Sequence, residues 1–328
     1  MPTKRRSIVA TALAPAAVLA GLTYSRYRRD LQTARQRIQT GSHLAYTSFG
    51  ALEYADLGEG APLLAIHGAG GGWDQGLAIA RELDEGFRVV APSRFGYLRS
   101  SLPQDASPKA QADAFAVLLN LLEIERAAVV AASAGALSAV QFALHYPERC
   151  SALLLLSPAA WTPERQRARP RLFPAVVFAS SFNLWLASRL LPRRLERFIG
   201  STAGKRLTGS ERESLRRIAE GLQPLDARRQ GLLNDGRNQA RREPVRLEQL
   251  RTPTLIMAAA DDPWETLPAA RYLAGHIPGA RLVATEHGGH LLLGGLERLL
   301  REAGEFLRAN APPRPHPLPP GPHPSPRG

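Results

Sequence analysis

The sequence predicts an α/β fold: a mostly parallel sheet covered by helices on both faces, with a helical cap inserted after the sixth strand. Three observations predict it. Short apolar runs are separated by longer segments of helical period. Strand, helix and strand in repetition means parallel pairing with helices over the sheet. One long interval, Trp161 to about Arg246, then breaks the repetition with helical sequence alone.

The elements follow in order. HLAYTSFG and ALEYADLG, around Gly50, read as a hairpin. PLLAIHG, FRVVAPS, AAVVAAS, CSALLLLS, PTLIMAA and ARLVATE read as further strands. Helical stretches separate most of them, at Pro108 to Leu122, Ala134 to Tyr146, Pro268 to His276 and Leu291 to Ala309. In the interrupting interval RLFPAVVFASSFNLWLASRLLPRRLERF reads as a long apolar helical region, followed by Arg-rich amphipathic segments. The first part of the core is therefore 43–160, the cap 161–246 and the second part of the core 247–309. In such a sheet a site lies beyond the carboxyl ends of the strands.

The two ends stand apart from this pattern. A basic start, 1–7, leads into an uncharged stretch, 8–24, and then into a basic linker, 25–42. The apolar stretch sits at the short edge of what crosses a bilayer. A signal peptide cleaved at Ala20 is one reading, with export as its consequence. Arg26, Arg28 and Arg29 follow at once, as after an uncleaved anchor, and that is the favoured reading. Taken as the cytoplasmic flank of that anchor, these arginines place the main domain on the cytoplasmic side, although Lys4, Arg5 and Arg6 match them in number. The tail, 310–328, is too rich in proline for helix or sheet and reads as a disordered polyproline-like extension.

Composition narrows the partners. The net charge is +13, which invites nucleic acid, yet the arginines are scattered and no basic run is interleaved with aromatics. A nucleic-acid partner is therefore not expected. Cys150 is the only cysteine, so no intramolecular disulfide and no thiolate metal cluster can form. The sequence says nothing about oligomeric state.

Chemistry enters at VVAASAGALS, residues 129–138. Ser133 ends a predicted strand and opens a predicted helix, so the chain must turn sharply there, with small residues two positions away on each side. Ala131 and Gly135 supply them. This is the nucleophile elbow, usually G-x-S-x-G, with alanine for the first glycine. The bland alternative is packing, since Ala-x-Ser-x-Gly arises by chance in Ala-rich sequence.

Three other strand ends decide between them. PLLAIHGAGGGWDQG places His67 and Gly68 before a glycine run whose N–H groups can face an oxyanion; Ala69 and Ala134 are the expected donors. A phosphate loop would continue GK[ST], and Gly72-Trp73-Asp74 does not. PTLIMAAADDPWETLP ends on two aspartates, and ARLVATEHGGHLLL leads to His287 and His290. A serine hydroxyl needs an imidazole to take its proton and a carboxylate to hold that imidazole in one tautomer.

These motifs, from about His43 to Leu307, resemble an α/β-hydrolase-fold protein with a helical cap. The likeness continues through VVAPSRFGYLRSS, where Ser93 stands at a commoner aspartate, and through VVAASAGALSAVQFALHYPERCSALLLLSPA. The family's acid in G-x-x-D selects Asp262 over Asp261, with Ala259 for the glycine. Its G-G-H loop selects His290, leaving His287 a neighbour and His67 a structural residue of the oxyanion loop.

The resemblance implies a triad of Ser133, Asp262 and His290, with no metal or organic cofactor. The expected reaction is hydrolysis of a small to medium carboxylic ester, an apolar small molecule, through an acyl-enzyme. Two alternatives use the same residues: perhydrolysis, and hydrolysis of a carbon–carbon bond in a dienoate. For the dienoate, Arg165, Arg167, Arg169 and Arg171 would meet a carboxylate, although a solvated face is the ordinary reading of such a run. A third alternative, from another class, is a non-catalytic ligand-binding protein on this fold.

Overall fold

The computed structural model describes residues 3–83, 86–163, 177–200, 208–241, 244–293 and 295–312. Arg165, Arg167, Arg169 and Arg171, and the tail beyond residue 312, lie outside them.

Eight strands form one sheet: β1 (His43–Thr47), β2 (Gly50–Leu57), β3 (Ala61–Ile66), β4 (Phe87–Pro92), β5 (Ala127–Ala132), β6 (Cys150–Leu156), β7 (Thr254–Ala259) and β8 (Arg281–Thr285). They lie in the order β1-β2-β4-β3-β5-β6-β7-β8. β1 and β2 form the expected hairpin, turning with Thr47 opposite Gly50, and β2 is antiparallel to β4. Every later pairing is parallel.

Successive residues of the central strands serve opposite faces. Leu64, Ile66, Val129 and Ala131 pack with Phe115, Leu118 and Phe142 of α3 (Pro108–Leu121) and α4 (Ala136–His145). Leu63, Ala65, Ala128 and Val130 pack on the other face with Trp73 and Leu77 of α2 (Trp73–Leu83). Both faces are buried, which is why these strands read as unbroken apolar runs.

Helix α2 has no counterpart among the helices expected from sequence. Gly72 and Gly76 disguise it, because glycine is a poor helix former. Gly76 is there for proximity: a Cβ at that position would lie 2.6 Å from the Ala65 carbonyl oxygen and 3.0 Å from Ala91 Cβ. Ser93, where the family more often has aspartate, accepts a hydrogen bond from the Trp73 amide and donates one to Glu53, tying the start of α2 to β2.

Between β6 and β7 the described chain is helical. The expected long apolar helix is broken into α5 (Ser181–Leu190) and α6 (Pro192–Gly200). Pro192 has no N–H to continue a helix and fits its first turn. α7 (Gly209–Gly221) begins at a capping box of Thr208 and Glu211, and α8 (Arg229–Ala240) follows. Val177, Leu184, Leu195, Leu222 and Leu225 form a separate small apolar cluster in this insertion. α9 (Thr266–His276) follows β7.

The last helix, α10 (Leu296–Asn310), begins later than the expected Leu291. Residues 288–293 instead make a turn closed by the Leu293 amide on the Gly288 carbonyl, with Gly288 at φ +142° and Gly289 at φ +59°. That turn carries His290.

The N-terminal region corrects one expectation. Residues 25–39, expected as a linker, continue a single helix, α1 (Thr3–Gln39). Leu31 and Ala34 are buried, and Arg35 pairs with Asp226 beside α8. Apolar residues three apart on one helix face dock the segment, where charge alone suggested a tether. Among the described residues no helix is long and apolar enough to cross a membrane.

Candidate active site

The site is assembled at the carboxyl ends of β3, β5 and β7 and on the turn after β8. Ser133 follows β5 directly, at φ +49°, a left-handed conformation rare for a residue with a side chain. Its neighbours make room. A Cβ at Gly135 would stand 2.5 Å from the His67 carbonyl oxygen, and one at Gly68 would stand 3.1 Å from Ser133 Cβ. The carbonyl of Ser133 accepts the Ala159 amide at 3.0 Å, which fixes the far side of the turn. The strained serine is thus held by its surroundings and its side chain faces a cavity.

Ser133 and His290 line that cavity together with Gly68, Ala69, Leu156 and Trp264. Asp262 Oδ2 lies 2.9 Å from His290 Nδ1. Asp262 also accepts the Trp264 amide at 2.8 Å and a hydrogen bond from the Thr266 hydroxyl. Burial alone would raise the pKa of this carboxyl. The hydrogen bond and charge of His290, with the hydrogen bonds of the Thr266 hydroxyl and the Trp264 amide, outweigh burial and hold it below its usual value. Asp262 is therefore a fixed anion that can hold the proton of His290 on Nδ1 and leave Nε2 as a base.

The two aspartates at the end of β7 part company here. Asp261 accepts the Gly289 amide at 2.8 Å and lies 3.8 Å from His287 Nδ1. It shapes the turn; Asp262 reaches the histidine on it. Ala69 and Ala134, the two amides expected from sequence to face an oxyanion, both border this region of the chain. Ala69 follows Gly68 beside Ser133, and Ala134 is in the first turn of the helix after Ser133, whose N–H groups have no partner within the helix. Gly68 N–H is taken by Gln75 Oε1 at 2.8 Å and Gly70 N–H by Tyr97 Oη at 3.2 Å.

A second buried polar group supports the loop of Ala69. Arg94 donates to the carbonyl oxygens of His67 and Gly68, each at 3.0 Å, and its guanidinium forks onto Asp235 at 2.6 and 2.8 Å. Tyr97 donates to the same carboxylate. Burial opposes the Arg94 charge, but Asp235 more than offsets it and raises the pKa. Arg228, fully buried, pairs with Asp74 at the start of α2. Helix α8 is thereby tied through Arg94 to His67 and Gly68, and the turn before it through Arg228 to Asp74 at the start of α2.

The sequence reading missed these residues. Arg94 and Tyr97 lie in a quoted motif, but Asp235 is 141 positions from Arg94 and sits in ordinary amphipathic helix. No local signal marks it.

A model of the α/β hydrolase fold matches residues 61–294. The chain belongs to the α/β-hydrolase fold family. It is 28% identical over 264 residues to an uncharacterized hydrolase, YcgS, of Bacillus subtilis, covering 76% of this chain and 91% of that one. A 2-hydroxy-6-oxo-6-phenylhexa-2,4-dienoate hydrolase of Comamonas testosteroni is 34% identical over 113 residues, 33% of this chain and 40% of that enzyme. Among solved structures, an alpha/beta hydrolase fold protein from Nakamurella multipartita superposes with a TM-score of 0.68 at 26% identity, over 82% of this chain and 99% of that one. Of these three, the Comamonas relative is the one whose name states a substrate.

Proposed function

We propose that the chain is a serine hydrolase that cleaves a small to medium carboxylic ester through an acyl-enzyme. One observation carries the reading: a fixed carboxylate, Asp262, bonded to an imidazole, His290, that shares its cavity with a serine held at φ +49°. Ser133 Oγ attacks the ester carbonyl while His290 takes its proton. The Ala69 and Ala134 amides receive the negative charge of the tetrahedral intermediate. His290 then returns the proton to the departing alcohol, and water, activated by the same imidazole, releases the acid.

Part of the lining supports this substrate class. Beside Ser133 the cavity presents Leu156, Pro158 and Ala159, and the insertion adds Phe178, Phe198 and Leu222. These apolar side chains suit an uncharged acyl chain, while the charged lining, such as Arg37, Asp74 and Arg217, belongs to the same cavity. Purified protein assayed on p-nitrophenyl and glycerol esters, with labelling by a fluorophosphonate, tests the reading. Turnover and labelling that both vanish in Ser133→Ala are expected; a folded protein inert to both would point to a ligand-binding role.

The Comamonas relative favours a second reading, hydrolysis of a carbon–carbon bond in a vinylogous diketo acid by the same residues. Turnover of such an acid with none on esters would decide for it.

A further inference from the structure

We propose that α1 is a lipid-binding arm: its N-terminal half inserts into a bilayer containing anionic lipid, and its docked half holds the mouth of the site against that bilayer. The second clause rests on the reading of Ser133 as the nucleophile; the first does not.

The two halves of α1 are built differently. In the second half one face is engaged. Tyr27 packs edge-on against Phe182 and Trp185, and Asp30 accepts hydrogen bonds from Trp185 Nε1 at 2.8 Å and Arg189 at 2.6 Å. Arg37 donates to the Gln223 carbonyl at 2.7 Å. Aromatic packing, charged hydrogen bonds and buried apolar residues make a joint with the insertion, not a hinge.

Toward the N-terminus, where side chains are described from residue 17 onward, the helix stands clear of the rest of the described protein. Ala17, Val18, Leu19, Ala20, Gly21 and Leu22 are consecutive, apolar and all exposed, with Val18, Leu19 and Leu22 at 61, 66 and 65%. Six successive residues cover the whole circumference of a helix. A helix apolar on every side requires apolar surroundings, and no part of the described protein supplies them.

Charge selects the occupant. Residues 8–24 contain no charged side chain, while Lys4, Arg5 and Arg6 precede them and Arg26, Arg28 and Arg29 follow; no acidic residue occurs before Asp30. Cations at both ends of an apolar segment match lipid phosphates at the edge of a hydrocarbon layer. A second copy of the helix fits poorly in either direction, since each end would face a like-charged cluster. The joint then orients the arm: Arg37, near its docked end, and Gly41, just beyond it, border the cavity that holds Ser133. An apolar ester dissolved in the bilayer would meet the site without crossing water.

The experiment is flotation of the full chain with vesicles of phosphatidylcholine alone or with phosphatidylglycerol, beside Leu19→Glu/Leu22→Glu. The wild type should float with anionic vesicles, and less at high salt. The double variant should stay below, because each buried leucine contributes about tenfold or more to partitioning, while hydrolysing a soluble short-chain ester at the wild-type rate. Wild type that does not float, a variant that floats equally, or a mature mass short by about 20 residues would each overturn the arm. A dimer in lipid-free sedimentation that the double variant abolishes, without flotation, would overturn it in favour of self-association. Asp30→Ala/Arg189→Ala tests the joint. It should float yet lose the rate gain that vesicles give on a long-chain ester; a gain that survives would overturn the orienting role. Flotation without turnover of any ester would support the arm and sink the ester reading alone.

Discussion

His290 lines the cavity of Ser133 and His67 packs behind Gly135, and their surroundings give them opposite capacities. The His290 side chain is 15% exposed and shares its proton with an anion, Asp262. His67 is wholly buried; its Nε2 accepts the Arg94 amide at 2.9 Å, so Nδ1 must carry the hydrogen, which it donates to the Gly68 carbonyl at 2.7 Å. Burial first, and the Arg94 charge second, push the His67 pKa well below its ordinary value. Protonating His67 would break a hydrogen bond and place two cations together. One imidazole can therefore move a proton, while the other is a rigid strut of the loop that carries Ala69. The residue type alone does not assign a histidine to catalysis; the charge of its neighbours does.

Exchanging the parts on each side tests that contrast. The largest effect is expected at His290: His290→Ala should lower kcat by about 10⁴- to 10⁶-fold with little change in urea midpoint, measured on the same preparation. Asp262→Asn should cost about 10⁴-fold in kcat, because the amide no longer holds the Nδ1 proton; a loss under tenfold would mean another group orients His290. On the structural side the order of effects reverses. Asp235→Asn leaves the buried Arg94 guanidinium without its counter-charge and should cost about 3 to 5 kcal/mol in urea unfolding.

A smaller effect comes from pH. The unfolded chain protonates His67 below about pH 6.5 and the folded chain does not, so this residue makes stability fall on acidification, by at most about 1.4 kcal/mol per pH unit. Between pH 7.5 and 5.5 the urea midpoint of His67→Asn should fall less steeply than that of the wild type. Smallest is Cys150, whose thiol burial pushes up to about 12; a disulfide reagent should leave it untouched until the protein unfolds.

Much of this was legible in advance. The central strands, β3 to β7, could be read because both of their faces are buried, which leaves apolar runs that need no partner to be recognised. Ser133, Asp262 and His290 could be read because each follows a strand in a short motif. Helix α2 could not, because Gly76 answers to the Ala65 carbonyl on the sheet and not to its own helix. The docking of residues 25–39 was hidden for a similar reason: Asp30 and Arg35 are ordinary charges until Arg189 and Asp226 arrive beside them.

The sequence by itself determined the order of elements, the elbow and the identity of the groups at the strand ends, since periodicity and steric permission act over a few residues. Only the tertiary structure decided that Asp261 holds the turn through the Gly289 amide, that Arg94 and Asp235 share a buried bond across 141 positions, and that one histidine stays neutral. Those outcomes depend on distance and local dielectric, and neither exists until the chain is packed.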